Sequence, residues 1–531
     1  MTTRNEPIAI VGMAGLFPKS PDLRSYWANV VAGADCITDV PADHSWSTAD
    51  YLDPDPKAPD RTWCGRGGFL EPIPFDPVQH GIPPAQLDAI DTSQLLSLIV
   101  AREALRDAGF DPDADGWARD RVSCIIGVTG TQELAITLGA RLQGPIWRRA
   151  LLRHGVDPKL ADAVVADIGK HFPEWQEQSF PGLLGNVVAG RITNRLGLGG
   201  TNCVVDAACA SSLAAMQLAI ADLAAGRSDL ALTGGVDTLN DIFMYMCFSK
   251  TPALSKSGDA RPFDADADGI LISEGIGMVA LERLSDAERL GHRVYAVVHA
   301  IGSGSDGRAK SIYAPNPRGQ ARTLKRAWEE AGFPLDTCDL IEAHGTGTKA
   351  GDAAELDGLT EVFGAVDHPI AVGSVKSQIG HTKSAAGIAG LMKAALALHQ
   401  RVLPPTVKIR KAAAALTGPL RANTELRPWI RSAGHPRRAG VSAFGFGGSN
   451  YHAVLEEHVG GAEAGWALPP VEALFLIGAP DAATLGSRLD ALLAAAGTCP
   501  NVHALSREAL SVWAPASHVV SFTADSLDAA R

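Results

Sequence analysis

The chain has no CxxC pair, no Lys/Arg-rich run and no uninterrupted apolar stretch of membrane-spanning length, and each absence removes a class of function. Its eight cysteines (36, 64, 124, 203, 209, 247, 338 and 499) are scattered over 531 residues. That spacing fits reduced cytosolic thiols better than a disulfide framework or a zinc site. A formal charge of −12 without a basic block argues against general nucleic-acid binding, leaving room for a local basic patch facing an acidic partner. Apolar stretches such as 384–398 are interrupted by Lys393 and are too short to cross a bilayer. The start, MTTRNEPIAIVGMAG, lacks a signal-peptide pattern. Neither GTGTKAGD nor GFGGSN fits G-x-x-x-x-G-K-[ST], so a phosphate-cradling nucleotide loop is missing too. The expectation is a soluble, cytoplasmic chain with no membrane or nucleic-acid partner.

What is present is globular: 46% hydrophobic and 20% charged residues, with 55 glycines and 33 prolines marking many turns. The length calls for two or three packed units. Apolar runs at 8–15, 123–128, 203–209 and 230–237 alternate with helical stretches at 90–108 and 210–225. A second series follows, with runs at 294–304, 340–348, 370–377 and 439–448 and helical stretches at 318–332 and 383–400. Near-continuous apolar strands between helices indicate sheets covered on both faces, and two such series suggest a duplicated α/β unit. Residues 141–180 read as a polar helical insertion. The Gly/Ala/Pro-rich stretch at 459–470 reads as a boundary, followed by a strand, turn and helix and a further strand at 518–522.

The candidate chemistry gathers at strand ends. CVVDAACASSLAAMQLAIADL (203–223) places Cys209 between a short buried strand, Cys203 to Val205, and a helix with apolar residues at 213, 216, 220 and 223. At such a turn the unpaired N–H groups and the helix dipole favour a thiolate, although a free cysteine is also a common buried small residue. LIEAHGTGT puts His344 after a strand, and SVKSQIGHT puts His381 five residues after Lys376. Either histidine alone could be a satisfied core group. The two lie 37 residues apart with no acidic co-ligand at motif spacing, which argues against a metal. SAFGFGGSNYH (442–452) is a tight turn whose glycines let backbone N–H groups approach a ligand.

DAACASS around Cys209, EAHGTGT around His344, KSQIGHT around Lys376 and His381, and FGFGGSN together resemble the four signatures of β-ketoacyl synthases, in the family's order, over residues 6–457. The stretches FPGLLGNVVAGRITNRLGLGGTNCVVDAACA, FMYMCFSKTPAL, KSIYAPNPRGQA and HGTGTKAGDAAE look most like ketosynthase domains of multidomain polyunsaturated-fatty-acid synthases, with type I polyketide synthases as near neighbours. The resemblance implies a thiolase-like duplicated fold, five-layered α-β-α-β-α, over residues 1–460, with halves at about 1–285 and 286–460. It implies a small α/β linker at 461–531, of the kind that joins a ketosynthase to an acyltransferase. Two departures stand out. Free-standing fatty-acid ketosynthases carry a glutamate nine residues after the second catalytic histidine, where this chain has Gly390. Ala208-Cys209-Ala210 stands where many relatives have threonine-cysteine-serine.

By the same resemblance, Cys209 takes an acyl group from a carrier-protein thioester, and the backbone N–H groups of Cys209 and Phe446 form an oxyanion hole. His344 and His381 hold the enolate formed when a malonyl thioester loses CO2. Lys376 positions the histidine loop electrostatically, its bland alternative being an ordinary salt bridge. Thr346 and Thr348 hydrogen-bond the phosphopantetheine amides. No bound cofactor or metal is implied, because the pantetheine arrives on an acyl carrier protein. The family is typically homodimeric, and an acyltransferase domain is expected downstream in a longer enzyme. The tail, with Leu474, Phe475, Leu476, Leu492 and Leu493, is expected to lean on the main domain, because so short a segment makes only a marginal core. The rival readings are a chain-length-factor-like structural partner and a thiolase. Intact Cys209, His344 and His381 weigh against the first, and GTGT with KSQIGHT against the second.

Overall fold

The computed structural model describes residues 6–130, 132–308, 311–432, 434–459, 472–497, 499 and 501–531. The boundary expected at 460/461 lies outside these residues, as does Lys310 of the KSIYAPNPRGQA stretch. The chain divides into two compact units, residues 1–461 and 462–531.

The apolar runs of the first half form β1 (Ile8–Leu16), β2 (Val122–Val128), β3 (Asn202–Val205), β4 (Leu230–Asp237) and β5 (Gly275–Arg283). The second half supplies β6 (Ala296–Ser305), β7 (Leu340–Glu342), β8 (Ile370–Gly373), β9 (Leu420–Ala422), β10 (Arg438–Gly445) and β11 (Ser449–Glu456). All eleven belong to one hydrogen-bonded sheet, in the order β9-β8-β7-β10-β11-β6-β1-β5-β4-β2-β3. The duplication is visible in this order. Numbered within its own half, and with β9 set aside as an extra edge strand, each half runs 3-2-4-5-1. In each half the first two pairings along that order are parallel and the last two antiparallel. The halves meet where β1 pairs with β6, Ile8 opposite Val298 and Ile10 opposite Ala296.

Helices occupy three layers. α1 (Thr92–Asp107) covers the outer face of β1 and β5. α2 (Ser211–Ala224) and α6 (Ala386–Gln400) pack on each other and touch strands of both halves, which places them between the half-sheets. α4 (Pro317–Ala331) and α5 (Lys349–Phe363) close the far side, α4 lying on β6 and β11. A fourth element, α3 (Ile242–Lys250), follows β4. The result is the expected α-β-α-β-α order. The position of α6 explains its sequence: from Ala386 to Leu398 every residue is buried, so the helix is apolar all round rather than on one face.

Three strands of this sheet escaped the sequence reading. β5 and β11 end in charged residues and carry Gly or polar positions that break the apolar run, and β9 has only three residues. β3 corrects another expectation. It is not a buried strand but the edge of the sheet, half-exposed, with Asn202 open to solvent. The 141–180 insertion is helical, with helices Gly144–Arg153 and Pro158–Gly169 preceded by Glu133–Arg141.

The second unit pairs β12 (Ala473–Ala479) with β13 (His518–Ala524) and carries helices Ala482–Ala495 and Val502–Ser511. Phe475, Val502 and Leu505 are buried in its core, and the rings of Phe475 and Phe522 stack at 4.6 Å. No helix among the described residues is long and apolar enough to cross a membrane.

Candidate active site

Beyond Val205 the chain turns sharply before α2 begins. A 3-10 turn, Ala208–Ala210, carries Cys209, and Ala208 adopts φ 51°, a left-handed conformation that costs a non-glycine residue about 1–2 kcal/mol. Hydrogen bonds hold the turn in place. Asp206 accepts from the Ala208 N–H at 2.9 Å and from the Thr129 hydroxyl at 2.7 Å. Ser211 Oγ accepts from the Ala207 N–H and donates to the Ala208 carbonyl. Cys209 is thereby directed into a cavity of about 230 Å3, with Thr129 and Gly130 on its lining and the apolar side chains of Leu239, Met244 and Phe248 facing it.

The FGFGG turn joins β10 to β11 and meets the cysteine. A Cβ on Gly445 would collide with the Ala207 carbonyl oxygen, so only glycine allows the two turns this close. Gly447 and Gly448 have φ of 91° and 84°. Phe446, between Gly445 and Gly447, lines the same cavity, and its backbone N–H is directed at the Cys209 sulfur. Burial pushes the Cys209 thiol up; that N–H and the ammonium groups of Lys376 and Lys383 pull it back, while Asp237 pushes it further. Desolvation therefore opposes the ease of ionisation expected at a helix start.

His344 follows β7, and the loop it opens is fixed from α5. Glu355 accepts the backbone N–H groups of His344 and Gly345, both at 2.7 Å, and Asp352 accepts those of Gly347 and Phe263. The rings of His344 and His381 meet edge-on with centroids 5.4 Å apart. The Lys383 backbone N–H donates to His381 Nδ1 at 3.0 Å. That bond makes Nδ1 an acceptor and leaves the proton on Nε2. His344 Nδ1 is buried without a hydrogen-bond partner among the described residues. Burial holds both imidazoles well below the usual histidine range, with the Lys376 ammonium adding to the effect, so both are neutral.

Lys376 is 4% exposed. Burial lowers its pKa, while the charges of Glu342, Glu355 and Cys209 act in the opposite direction. Among the described residues no carboxylate lies within ion-pair distance of it, so an ordinary salt bridge does not account for it. Thr346 and Thr348 are half-buried, their hydroxyls 3.1 Å apart. Thr348 also caps α5, accepting from the Gly351 N–H.

The sequence reading missed the supports of this site. Asp352 and Glu355 stand three apart on the first turns of α5, on the face that meets the His344 loop, a spacing visible in TKAGDAAE. Lys383 and Asp237 form a buried ion pair of 3.1 Å beside the cavity, and Lys383 Nζ also donates to the Ser273 carbonyl. The turn at Lys383–Ala385 lies against the Cys209 turn, bringing the His381 segment to the cysteine.

Comparison with known proteins bears on this arrangement. Residues 5–287 match the family model described as "Beta-ketoacyl synthase, N-terminal domain", and residues 295–410 match "Beta-ketoacyl synthase, C-terminal domain". The chain is 42% identical over 461 residues to one component of the polyunsaturated fatty acid synthase of Thraustochytrium sp., an alignment covering 85% of this chain but 16% of that protein. It is 37% identical over 464 residues to the pikromycin polyketide synthase component PikAII of Streptomyces venezuelae, covering 85% of this chain and 12% of the relative. Among solved structures, the oxazolomycin ketosynthase domain OzmH KS7 of Streptomyces albus superposes with a TM-score of 0.75 at 30% identity, covering 99% of this chain and 87% of that one. The chain thus spans a small fraction of its curated relatives and most of a single ketosynthase domain.

Proposed function

The chain belongs to the β-ketoacyl synthase family, and from that premise we propose that it catalyses decarboxylative Claisen condensation between an acyl group on Cys209 and a malonyl thioester. The Cys209 thiolate attacks the acyl thioester carbonyl, forming a new C–S bond as the pantetheine thiolate leaves and takes up a proton. The oxyanion of that step is held by the N–H groups of Cys209 and Phe446. The malonyl thioester then enters past Thr346 and Thr348, whose hydroxyls hydrogen-bond the pantetheine amides. Its carboxylate leaves as CO2, and the C–C electron pair becomes an enolate whose oxygen accepts from His344 and His381. Neutral imidazoles suffice, because each has one N–H to give. The enolate carbon attacks the Cys209 thioester, Cys209 leaves as thiolate, and the β-ketoacyl product stays on the carrier.

The observation that carries this reading is the convergence of two burial-neutralised imidazoles with a cysteine whose sulfur faces the Phe446 N–H. The partners follow from the reading: an acyl carrier protein bearing phosphopantetheine, malonyl and acyl thioesters, and a downstream acyltransferase domain in a longer enzyme. The residues of the first unit act as the ketosynthase and those of the second as the α/β linker. The relatives favour polyunsaturated fatty acid or polyketide assembly. The free edge of β3 supports a homodimer, since an unpaired strand edge is a template for pairing. Eight unpaired cysteines suit the reducing cytoplasm. Intact-mass spectrometry after addition of acyl thioesters, followed by malonyl carrier protein, tests the reading. A stable acyl adduct on Cys209 that is discharged only by the malonyl thioester, with release of CO2, supports it. Discharge by acetyl thioester instead would indicate thiolase chemistry, and no adduct at all would indicate a structural partner.

A further inference from the structure

α6 is buried on every side from Ala386 to Leu398, yet it contains Lys393, 1% exposed. Its ammonium lies 2.7 Å from Glu342 Oε2, itself 1% exposed at the end of β7. The other carboxylate oxygen, Oε1, accepts the Val375 N–H at 2.6 Å, one residue before Lys376. Glu342 therefore joins three segments: the strand that delivers His344, the turn that carries Lys376 and leads to His381, and the helix that follows His381. Room for its side chain comes from Gly390, where a Cβ would lie 3.0 Å from Glu342 Cγ and 3.5 Å from Oε1. The helix position at which free-standing relatives carry a glutamate is empty of side chain here, and the space beside it holds a carboxylate from the strand instead.

Resting on the condensation reading above, we propose that Glu342, seated against Gly390 and paired with Lys393, is a positioning residue that holds Lys376 in place beside Cys209 and the two histidines. Every charged group facing Glu342 enters this balance. Lys393 approaches from α6 and Lys376 from the turn, Glu355 acts on Lys376 from α5, and the Tyr26 phenol, which donates to the Ala389 carbonyl of α6, is raised by burial and in part by the Glu342 charge. Of the charges that favour the Lys376 ammonium, Glu342 is the largest, while Lys393 disfavours it. Removing the Glu342 charge leaves two buried ammonium groups with one carboxylate fewer. Lys376, already disfavoured by burial, then gives up its proton more readily, and Cys209 loses a cation that favours its thiolate.

The test uses the full chain and a readout independent of condensation: the pH dependence of Cys209 alkylation by iodoacetamide, followed by intact mass. Glu342→Gln is expected to move the alkylation profile to higher pH by about one unit, a roughly tenfold slower reaction at a fixed pH below the thiol pKa. Its condensation kcat should fall while KM for the acyl thioester stays near the wild-type value. Glu342→Ala/Gly390→Glu returns a carboxylate to the same space from the helix and should restore both profiles. An unshifted alkylation profile in a folded Glu342→Gln protein overturns the proposal. If Glu342→Gln does not fold, the exchange variant decides: a folded protein with the wild-type profile supports the proposal, and one with a shifted profile overturns it. A wild-type protein that alkylates normally but never condenses would instead count against the functional reading.

Discussion

At the residue scale the chemistry rests on one sulfur and two imidazoles. Cys209→Ala removes only the sulfur, and alanine already flanks the site on both sides, so the fold should survive while acyl-enzyme formation disappears. A persisting mass gain at that peptide would reassign the nucleophile. Cys209→Gln places an amide where the acyl-cysteine carbonyl would be and leaves both histidines in place, so malonyl decarboxylation should be kept or raised, as measured by CO2 release. His344→Ala and His381→Ala should still self-acylate but each lose most of the condensation, since one donor to developing oxyanion charge is worth ~10²–10³ in rate. The pH dependence follows from the direction of each shift. Burial holds both imidazoles well below the usual range, so neither gains a proton between about pH 6 and 8, and no histidine limb should appear there. The Cys209 thiol is pushed up, so self-acylation should rise with pH across that window. A rate that falls through the window would show that an imidazolium does the work.

At the scale of elements, the turn from β10 to β11 that meets Cys209 makes different demands on its glycines. A side chain on Gly445 meets the Ala207 carbonyl, so Gly445→Ala must push the Phe446 N–H away from the sulfur and should abolish self-acylation. Gly447 has open space around it and is needed only for its φ of 91°. Gly447→Ala should therefore cost about 1–2 kcal/mol of stability, read from thermal unfolding, and retain measurable acylation. Equal loss of acylation in both variants would mean that conformation, not close approach, is what the turn supplies. The contrast also shows what the sequence could reveal. FGFGG and the helix after Cys209 are local patterns, and their turn and helix were readable because glycine freedom and apolar spacing act within a few residues. β1, β2, β4 and α1 were readable for the same reason, being continuous runs of one period. β5 and β11 were not, because each ends in a charged residue and carries Gly or polar positions that interrupt the apolar run. The supports of the site were hidden for another reason. Glu342 and Lys393 are 51 positions apart, and nothing local distinguishes a buried ion pair from a solvated charge; only Lys393, an interruption in an apolar helix, left a mark.

At the scale of the whole molecule, the order 3-2-4-5-1 repeated in both halves explains why one half brings the cysteine and the other the histidines: equivalent strand ends converge on the two helices between the half-sheets. The repeat is broken at its edges. β8 is covered by β9, whereas β3, its counterpart, has β2 as its hydrogen-bonded neighbour. An exposed strand edge is either blunted or paired, and β3 has Asn202 and a half-exposed Cys203-Val204-Val205 rather than a lysine or a proline. Antiparallel pairing of β3 with the same strand of a second copy is self-complementary, as a two-fold interface requires. It would also tie the segment leading to Cys209 to its twin. The expected state is a homodimer formed by the first unit alone. Since the second unit has its own sheet and its own buried residues, a chain ending at Val459 should sediment as a dimer and acylate Cys209 at the full-length rate. Sedimentation of that truncation as a monomer with acylation intact would remove β3 as the interface, and loss of both would make residues 462–531 part of the catalytic unit.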